Sequence, residues 1–419
     1  MQYFTHYKVA VSSLALFLIF FIPNSGLIGV PVITSVFFII CGLLLSKKKV
    51  DNKLQITPIY ILLIPLIYSL FIILFSQSGD LYYFILFTKL IIISLGLYYL
   101  IILFNLNIYE SLKSILIVLL VNVLITYVQY FDLFSLGDFA LNLNSTFLLH
   151  AYKPYRAMGL MAGYDANGII IAMTFVLSII LIKISNSRTA KLFYIASAIL
   201  CGFSIFFTSR TGLLTLLLFF LIFSFLTSKN LFRYVMNIII YILIVIVILL
   251  GGSKIIKSQY PILYEQSYNF MFEAFINYTE TGEFYTSSFD NTLENHYELT
   301  NDLIKLIFGT SYSNASKLGG YSDVGYVQII NGLGIIGLII IIFIYIYWFI
   351  KLFNMSKYFK RQLNVKINII YYLYTIILLM FIINIKGPYF FANTIFFLFL
   401  FLFNLVFIKF KYSRKLSMN

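Results

Sequence analysis

Two arginines in polar segments between long apolar runs are the residues of this chain best suited to bind an anion. Arg210 lies in Thr-Ser-Arg-Thr-Gly at 208–212, and Arg156 lies in Tyr-Arg-Ala-Met-Gly at 155–159. A guanidinium presents planar N–H donors that match phosphate oxygens two at a time. The spacing therefore predicts a site for a phosphorylated ligand.

Polar neighbours of the arginines are predicted to support the same site. Ser209 and Thr211 flank Arg210 and carry hydroxyls that can donate to an anion. Asn167 follows a glycine-containing turn at the start of the next apolar run, where a helix N-terminus presents N–H donors and positive potential.

Two lysines are secondary candidates for the same ligand. Lys386 lies in the turn between the last two apolar runs, and Lys89 lies deep within its own run. The alternative for each cation is that its side chain reaches a lipid headgroup or pairs with a nearby carboxylate.

The composition predicts that these residues belong to an all-α, polytopic membrane protein. Of 419 residues, 61% are hydrophobic and 11% are charged, and the mean hydropathy is +0.97. A water-soluble core of ordinary size could not hide so much apolar surface. About twelve transmembrane helices are predicted, at 9–22, 27–45, 57–75, 81–104, 112–131, 168–184, 191–207, 211–227, 233–250, 324–350, 367–384 and 389–408.

The distribution of charge predicts the orientation. Most of the 29 basic residues fall in alternate short connections, such as 47–53, 351–366 and 409–415. Lys and Arg resist translocation, so these connections and both termini are predicted to be cytoplasmic. The net charge of +14 is then a topology signal and not a sign of nucleic-acid binding. Arg156 and Arg210 fall on the outer side, although basic residues usually lie on the cytoplasmic side.

Two long outer segments predict where chemistry takes place. The predicted organisation is nine spans in 1–250 with an outer loop at 132–167, a partly helical extracytoplasmic loop at 251–323 between spans nine and ten, and three spans with a basic cytoplasmic tail in 324–419. In the larger loop, an Asn N-cap at 291 followed by Glu and spaced leucines predicts a helix that ends at Gly309. We expect it on the outer membrane surface or over a cavity.

Neither metal nor cofactor is predicted. The two cysteines lie far apart in apolar runs, and the three histidines form no ligand motif. These residues are Cys41, Cys201, His6, His150 and His296.

Four short motifs occur in an order that resembles the O-antigen polymerase (Wzy) and ligase superfamily. Together they span about residues 150 to 340, with the large loop in the place that the family pattern implies. The motifs lie at 155–168, 209–213, 309–326 and 332–337.

The resemblance implies a GT-C-like membrane glycosyltransferase in which Arg156 and Arg210 hold the diphosphate of a polyprenyl-diphosphate-linked glycan. Ser322 and Asp323 stand where the ligase branch typically has His-Asn, which favours a repeat-unit polymerase of O-antigen, capsule or exopolysaccharide synthesis. Lipid-linked oligosaccharide would be both donor and acceptor, and a chain-length regulator and a flippase would be partners. The expected location is a bacterial plasma membrane, with the site facing the periplasm or the cell exterior.

The base that takes the proton of the acceptor hydroxyl is predicted to be Asp323, with His296 and Glu298 as rivals. Asp323 has an alternative role as the N-cap of the following helix. Two other functions stay open: a lipid-linked oligosaccharide flippase or transporter, and an O-antigen ligase.

Overall fold

The chain is all-helical in the part that the structure describes. The computed structural model describes residues 2–22, 29–45, 57–76, 80–137, 155–161, 163–228, 230–286, 297, 299–312, 324–360, 364–391 and 393–416. Within these ranges the regular elements are α-helices and short 3₁₀ turns, and no strand occurs. This confirms the predicted all-α class.

Fifteen α-helices follow one another along the described chain. They are α1 (Gln2–Phe20), α2 (Val30–Leu45), α3 (Thr57–Tyr60), α4 (Leu63–Ser76), α5 (Tyr82–Leu103), α6 (Ile108–Phe131), α7 (Tyr164–Ile184), α8 (Arg188–Ser204), α9 (Arg210–Thr227), α10 (Leu231–Gln259), α11 (Pro261–Thr281), α12 (Leu303–Phe308), α13 (Gly325–Lys360), α14 (Asn364–Ile383) and α15 (Asn393–Leu416).

Six helices of the described residues are long and apolar enough to cross a membrane. They cover Tyr82–Leu103, Ile108–Phe131, Tyr164–Ile184, Arg188–Phe207, Arg210–Thr227 and Gly325–Lys357. Shorter apolar helices cover Tyr7–Phe20, Val30–Leu45, Leu63–Phe75, Leu231–Ile244, Asn368–Ile383 and Thr394–Phe410. The architecture fits a helical membrane protein.

Several predicted boundaries differ from the observed ones. The third predicted span is interrupted between α3 and α4, and α10 continues beyond the predicted end at 250 to Gln259. Asn291, where a helix is predicted to begin, lies outside the described residues. Residues 299–302 are not helical, and α12 begins at Leu303. The reason is that the Asp302 carboxylate accepts the backbone N–H groups of residues 304 and 305 and starts the helix there.

The chain divides into two compact units. The first comprises Met1–Phe17, Phe21–Pro23 and Asn107–Thr286, and the second comprises Leu18–Phe20, Asn24–Leu106 and Ser287–Asn419. In the first unit, α7 is the central helix: almost all of its residues from Asn167 to Leu181 are buried, and it packs against α6, α8 and α9.

Helices α7 and α9 approach each other through two glycines. A Cβ atom on Gly212 would lie 2.7 Å from the Cα of Gly168, and one on Gly168 would lie 2.9 Å from the Cα of Gly212. Both contacts involve backbone atoms, which cannot rotate away. The glycines therefore hold the N-terminal ends of both helices, and with them Arg210, at a fixed position.

In the second unit, α13 is broken at Gly334, whose φ of 71° lies in the left-handed region. The break exposes backbone carbonyls, and the chain just after α12 satisfies two of them. Thr310 N–H donates to the carbonyls of Asn331 and Gly332 at 3.1 Å, and Ser311 N–H donates to that of Gly332 at 2.8 Å. The predicted glycine motifs at 309–311 and 332–337 thus form one backbone junction.

Gly212→Ala tests the close packing of α7 and α9. The added methyl group has to push backbone apart, so we expect about 1–3 kcal/mol of destabilisation and a lower midpoint of thermal unfolding in detergent. Gly163→Ala is the matched control, because a Cβ there meets no atom within 4 Å. Equal midpoints for the two variants would contradict the packing.

Candidate anion-binding site

The segment 155–161 holds Arg156 against the turn that precedes α9. Ala157 N–H donates to the carbonyl of Phe207 at 2.9 Å, and the Arg156 Nε–H donates to the carbonyl of Thr208 at 2.9 Å. That carbonyl lies two residues before Arg210. The two arginines predicted from the sequence are therefore joined through backbone, and the side chain of Arg156 is only 13% exposed.

A buried glutamine of α6 fixes the backbone just beyond Arg156. The Gln129 Oε1 accepts the N–H groups of Met158 at 3.1 Å and Gly159 at 2.8 Å. Its Nε2 donates to the carbonyl of Gly159 at 2.9 Å. The segment 155–161 is not helical, so its backbone N–H and carbonyl groups lack helical partners. The Gln129 amide supplies partners for three of these groups.

Two asparagines extend this network. The Asn122 Oδ1 accepts the N–H of Leu160 at 2.7 Å, and its Nδ2 donates to the Asn167 Oδ1 at 2.8 Å. Asn167 also donates to the hydroxyl of Thr126 and to the carbonyl of Ala157, each at 3.1 Å. Asn167 is fully buried, and its hydrogen bonds hold the segment 155–161 that carries Arg156.

Gly159 is required by this arrangement. Its φ is +58°, and a Cβ would lie 2.4 Å from the Asn122 Oδ1 and 2.7 Å from the Thr126 hydroxyl oxygen. A side chain would therefore be strained in its backbone and would also displace the network.

Arg210 begins α9 and pairs with an acidic residue of α11. Ser209 is the N-cap of α9, and its hydroxyl accepts the N–H of Gly212 at 3.0 Å. Ser209 is buried and Thr211 is half-buried. The Arg210 guanidinium donates to the Glu273 carboxylate at 2.5 Å, and the two side chains are 21% and 23% exposed.

One aromatic ring contacts both guanidinium groups. The ring centre of Phe270, on α11, lies 4.3 Å from the Cζ of Arg156 and 4.4 Å from that of Arg210. Arg156 also lies 4.1 Å from the ring centre of Tyr164. A cation over a ring face is attracted by the ring quadrupole. Phe270 therefore gathers the two positive charges into one cluster.

Carboxylates balance the charges of the cluster. Arg156 lies 3.6 Å from the Asp165 carboxylate, in addition to the Arg210 pair with Glu273. Burial lowers the pKa of Arg156, the charge of Asp165 raises it, and the charge of Arg210 lowers it. The influence of one arginine on the pKa of the other agrees with their shared position at Phe270.

A hydroxyl and aromatic layer fixes α11 to the arginine segment. The Ser267 hydroxyl donates to the carbonyl of Tyr155 at 3.0 Å and lies 2.7 Å from the hydroxyl of Tyr130. Tyr130 stacks on Phe207 with ring centres 4.2 Å apart. Since Ser267 precedes Phe270 by about one helical turn, these contacts set the position of the ring between the arginines.

The other predicted cations belong to the second unit. Lys386 is half-buried in the turn after α14, and the Asn384 carboxamide shapes this turn by accepting the N–H groups of Tyr389 and Phe390 at 2.9 Å and 3.2 Å. Lys89 is half-buried on α5. The three predicted bases, Asp323, His296 and Glu298, lie outside the described residues.

Four residues of the cluster were not predicted: Phe270, Glu273, Gln129 and Asn122. The only signal in the sequence was that Glu273 belongs to the predicted loop at 251–323, which holds nine of the 15 acidic residues and is rich in Tyr and Phe. In the described part of the chain, no three His, Cys, Asp or Glu side chains come together in a way that could hold a metal ion.

No family model, curated protein or solved structure matches the chain. The resemblance to the O-antigen polymerase and ligase superfamily therefore stays a prediction from the sequence motifs.

Gln129→Leu tests the support of Arg156. Leucine keeps the volume but leaves the N–H groups of Met158 and Gly159 without their acceptor, at a cost of about 1–3 kcal/mol for each buried donor. We expect a lower thermal midpoint in detergent. Gln266→Leu makes the same change at an exposed position of α11 and should leave the midpoint unchanged. A neutral Gln129→Leu would mean that the network is not needed.

Proposed function

We propose that the protein is a membrane glycosyltransferase that polymerises repeat units of a polysaccharide carried on polyprenyl diphosphate. The growing chain would leave its diphosphate carrier and join a sugar hydroxyl of another lipid-linked unit. This function extends the sequence resemblance, and the arginine cluster supports it.

The observation that carries the proposal is that Arg156 and Arg210 converge on Phe270, within 4.3 Å and 4.4 Å of its ring centre. A diphosphate diester carries two negative charges on adjacent phosphates. Two guanidinium groups held side by side match this ligand in charge and in number of N–H donors. Both arginines are partly exposed, so a ligand can reach them.

The chemistry mainly requires stabilisation of a leaving group. An acceptor hydroxyl oxygen attacks the anomeric carbon, the bond from that carbon to the diphosphate oxygen breaks, and the electron pair leaves with the diphosphate. Fixed cations in a water-poor site stabilise this charge without reorganisation, and positioning of donor and acceptor lowers the barrier further. In this proposal Arg156 and Arg210 have that role. Lys386 and Lys89 remain candidate diphosphate ligands from the sequence alone.

The membrane placement completes the proposal. Helices long and apolar enough to cross a bilayer suit an enzyme whose substrates are lipid-anchored. We retain about twelve spans, a GT-C-like arrangement, cytoplasmic termini and an outward-facing site in a bacterial plasma membrane as parts of this proposal. Asp323, His296 and Glu298 remain candidate bases from the sequence.

Arg210→Ala is expected to lower polymer formation from lipid-linked units in detergent by about 100-fold or more, the scale expected for loss of a charge-stabilising donor. Arg210→Lys should retain part of the activity, because it keeps the charge but not the paired donors. Arg233→Ala, at an exposed arginine of α10, is the control. Full activity of Arg210→Ala would remove the central site. A flippase would form no polymer in this assay.

A strain that lacks the protein should display single-repeat glycans instead of a ladder of chain lengths. The measurement is gel electrophoresis of the surface polysaccharide, with the wild-type gene supplied in trans as the control. An unchanged ladder in the deletion strain would refute a polymerase, and loss of glycan transfer with lipid-linked polymer intact would point to a ligase.

A further inference from the structure

Glu273 occupies the place on Arg210 that the proposed function assigns to a phosphate. Its carboxylate is the hydrogen-bond acceptor of the Arg210 guanidinium, and both side chains are about one-fifth exposed, at 23% and 21%. A carboxylate and a phosphate present the same kind of acceptor oxygens to a guanidinium. A diphosphate that uses Arg210 must therefore compete with this residue of the chain itself.

The two carboxylates of the cluster differ in how firmly they are placed. Asp165 lies in the first turn of α7, the central helix of its unit, where the helix N-terminus favours a negative charge. Arg156 also keeps its bond to the carbonyl of Thr208 at 2.9 Å, whatever Asp165 does. The Arg156 half of the cluster is thus fixed by backbone.

Glu273 lies at a boundary within α11. The preceding residue, Phe272, has non-helical backbone angles of φ −107° and ψ 16°. Before this break, Ser267 anchors the helix; after it, Phe275 and Tyr278 are 62% and 48% exposed. Both rings pack on Phe284, which follows the same helix, with ring centres 5.8 Å and 4.2 Å apart. These contacts can therefore move together with the segment that carries Glu273.

We propose that Glu273 is a catalytic residue that an arriving donor diphosphate displaces from Arg210 and that then takes the proton of the acceptor hydroxyl. This inference rests on the proposed function. A carboxylate paired with a guanidinium is a weak base, and it becomes a stronger one when the guanidinium turns to another anion. Donor binding would in this way create the base next to the diphosphate, where the anomeric carbon must lie.

The step balances within these groups. The acceptor oxygen forms its bond to the anomeric carbon, and the bond from that carbon to the diphosphate breaks with its electron pair on the diphosphate. The acceptor proton moves to the Glu273 carboxylate and from there to water. After the diphosphate leaves, Glu273 returns to Arg210, and the cluster is restored.

The decisive variant is Glu273→Gln, which keeps the shape but removes the charge. Loss of the competitor should raise the affinity for a polyprenyl-diphosphate-linked sugar by about 5-fold, which corresponds to about 1 kcal/mol for the release of one ion pair. Loss of the base should lower turnover at saturating donor by about 100-fold. Both are measured on full-length protein in a sugar-based, phosphate-free detergent, by calorimetry and by polymer formation.

Controls separate this signature from a structural defect. Glu280→Gln removes an equal charge at an exposed position of the same helix and should change neither affinity nor turnover. Glu273→Asp keeps a carboxylate and should recover part of the turnover. If Glu273 only stabilised the structure, Glu273→Gln would bind the donor more weakly and would have a lower thermal midpoint.

The outcomes distinguish the two proposals. If Arg210→Ala binds the diphosphate probe as tightly as the wild type, the proposed function fails. If Arg210→Ala loses the probe while Glu273→Gln shows unchanged or weaker binding, or full turnover, the role of Glu273 is overturned and the proposed function stands. Tighter binding with lost turnover is the result that supports Glu273.

Discussion

The proximity of two guanidinium groups, on side chains that are only 13% and 21% exposed, is the constraint on which the cluster in the first unit depends. Like charges repel strongly where water is scarce, and burial lowers the pKa of Arg156. The structure offsets this cost with the Phe270 ring, which contacts both cations, and with a carboxylate beside each one. Such a cluster adds little to the stability of the fold, because buried ion pairs contribute little net free energy. The proposed binding of a diphosphate would account for it.

The arginine cluster lies between a hydrogen-bonded segment on one side and helix α11 on the other. Gln129, Asn122 and Asn167 hold the segment after Arg156 through buried amides, each with several hydrogen bonds. The opposite wall is α11, which is anchored through Ser267 and becomes exposed beyond Phe272. Binding sites gain precision when their charged groups sit on a supported framework. In the proposal for Glu273, α11 is the wall that responds to the ligand.

The sequence allowed much of the fold and part of the site to be predicted. Apolar runs determine where helices form, so the all-α class followed from composition. The two arginines stood out because basic residues are uncommon on the predicted outer side of the membrane. Phe270 and Glu273 could not be found this way, since Glu273 meets Arg210 from 63 positions away and resembles the other acids of its loop. The helix described in this loop, α12, begins at Leu303 because Asp302 is its N-cap, and this capping role of Asp302 was not predicted.

The interruption of α13 at Gly334 has a consequence for how the polypeptide is made. A carbonyl without a donor is costly in apolar surroundings, so a broken helix needs its partner before it is stable. Here the donors come from Thr310 and Ser311, which leave the ribosome earlier than the carbonyls they serve. The donors are thus synthesised before the acceptors. The interrupted helix needs no later part of the chain to satisfy these two carbonyls.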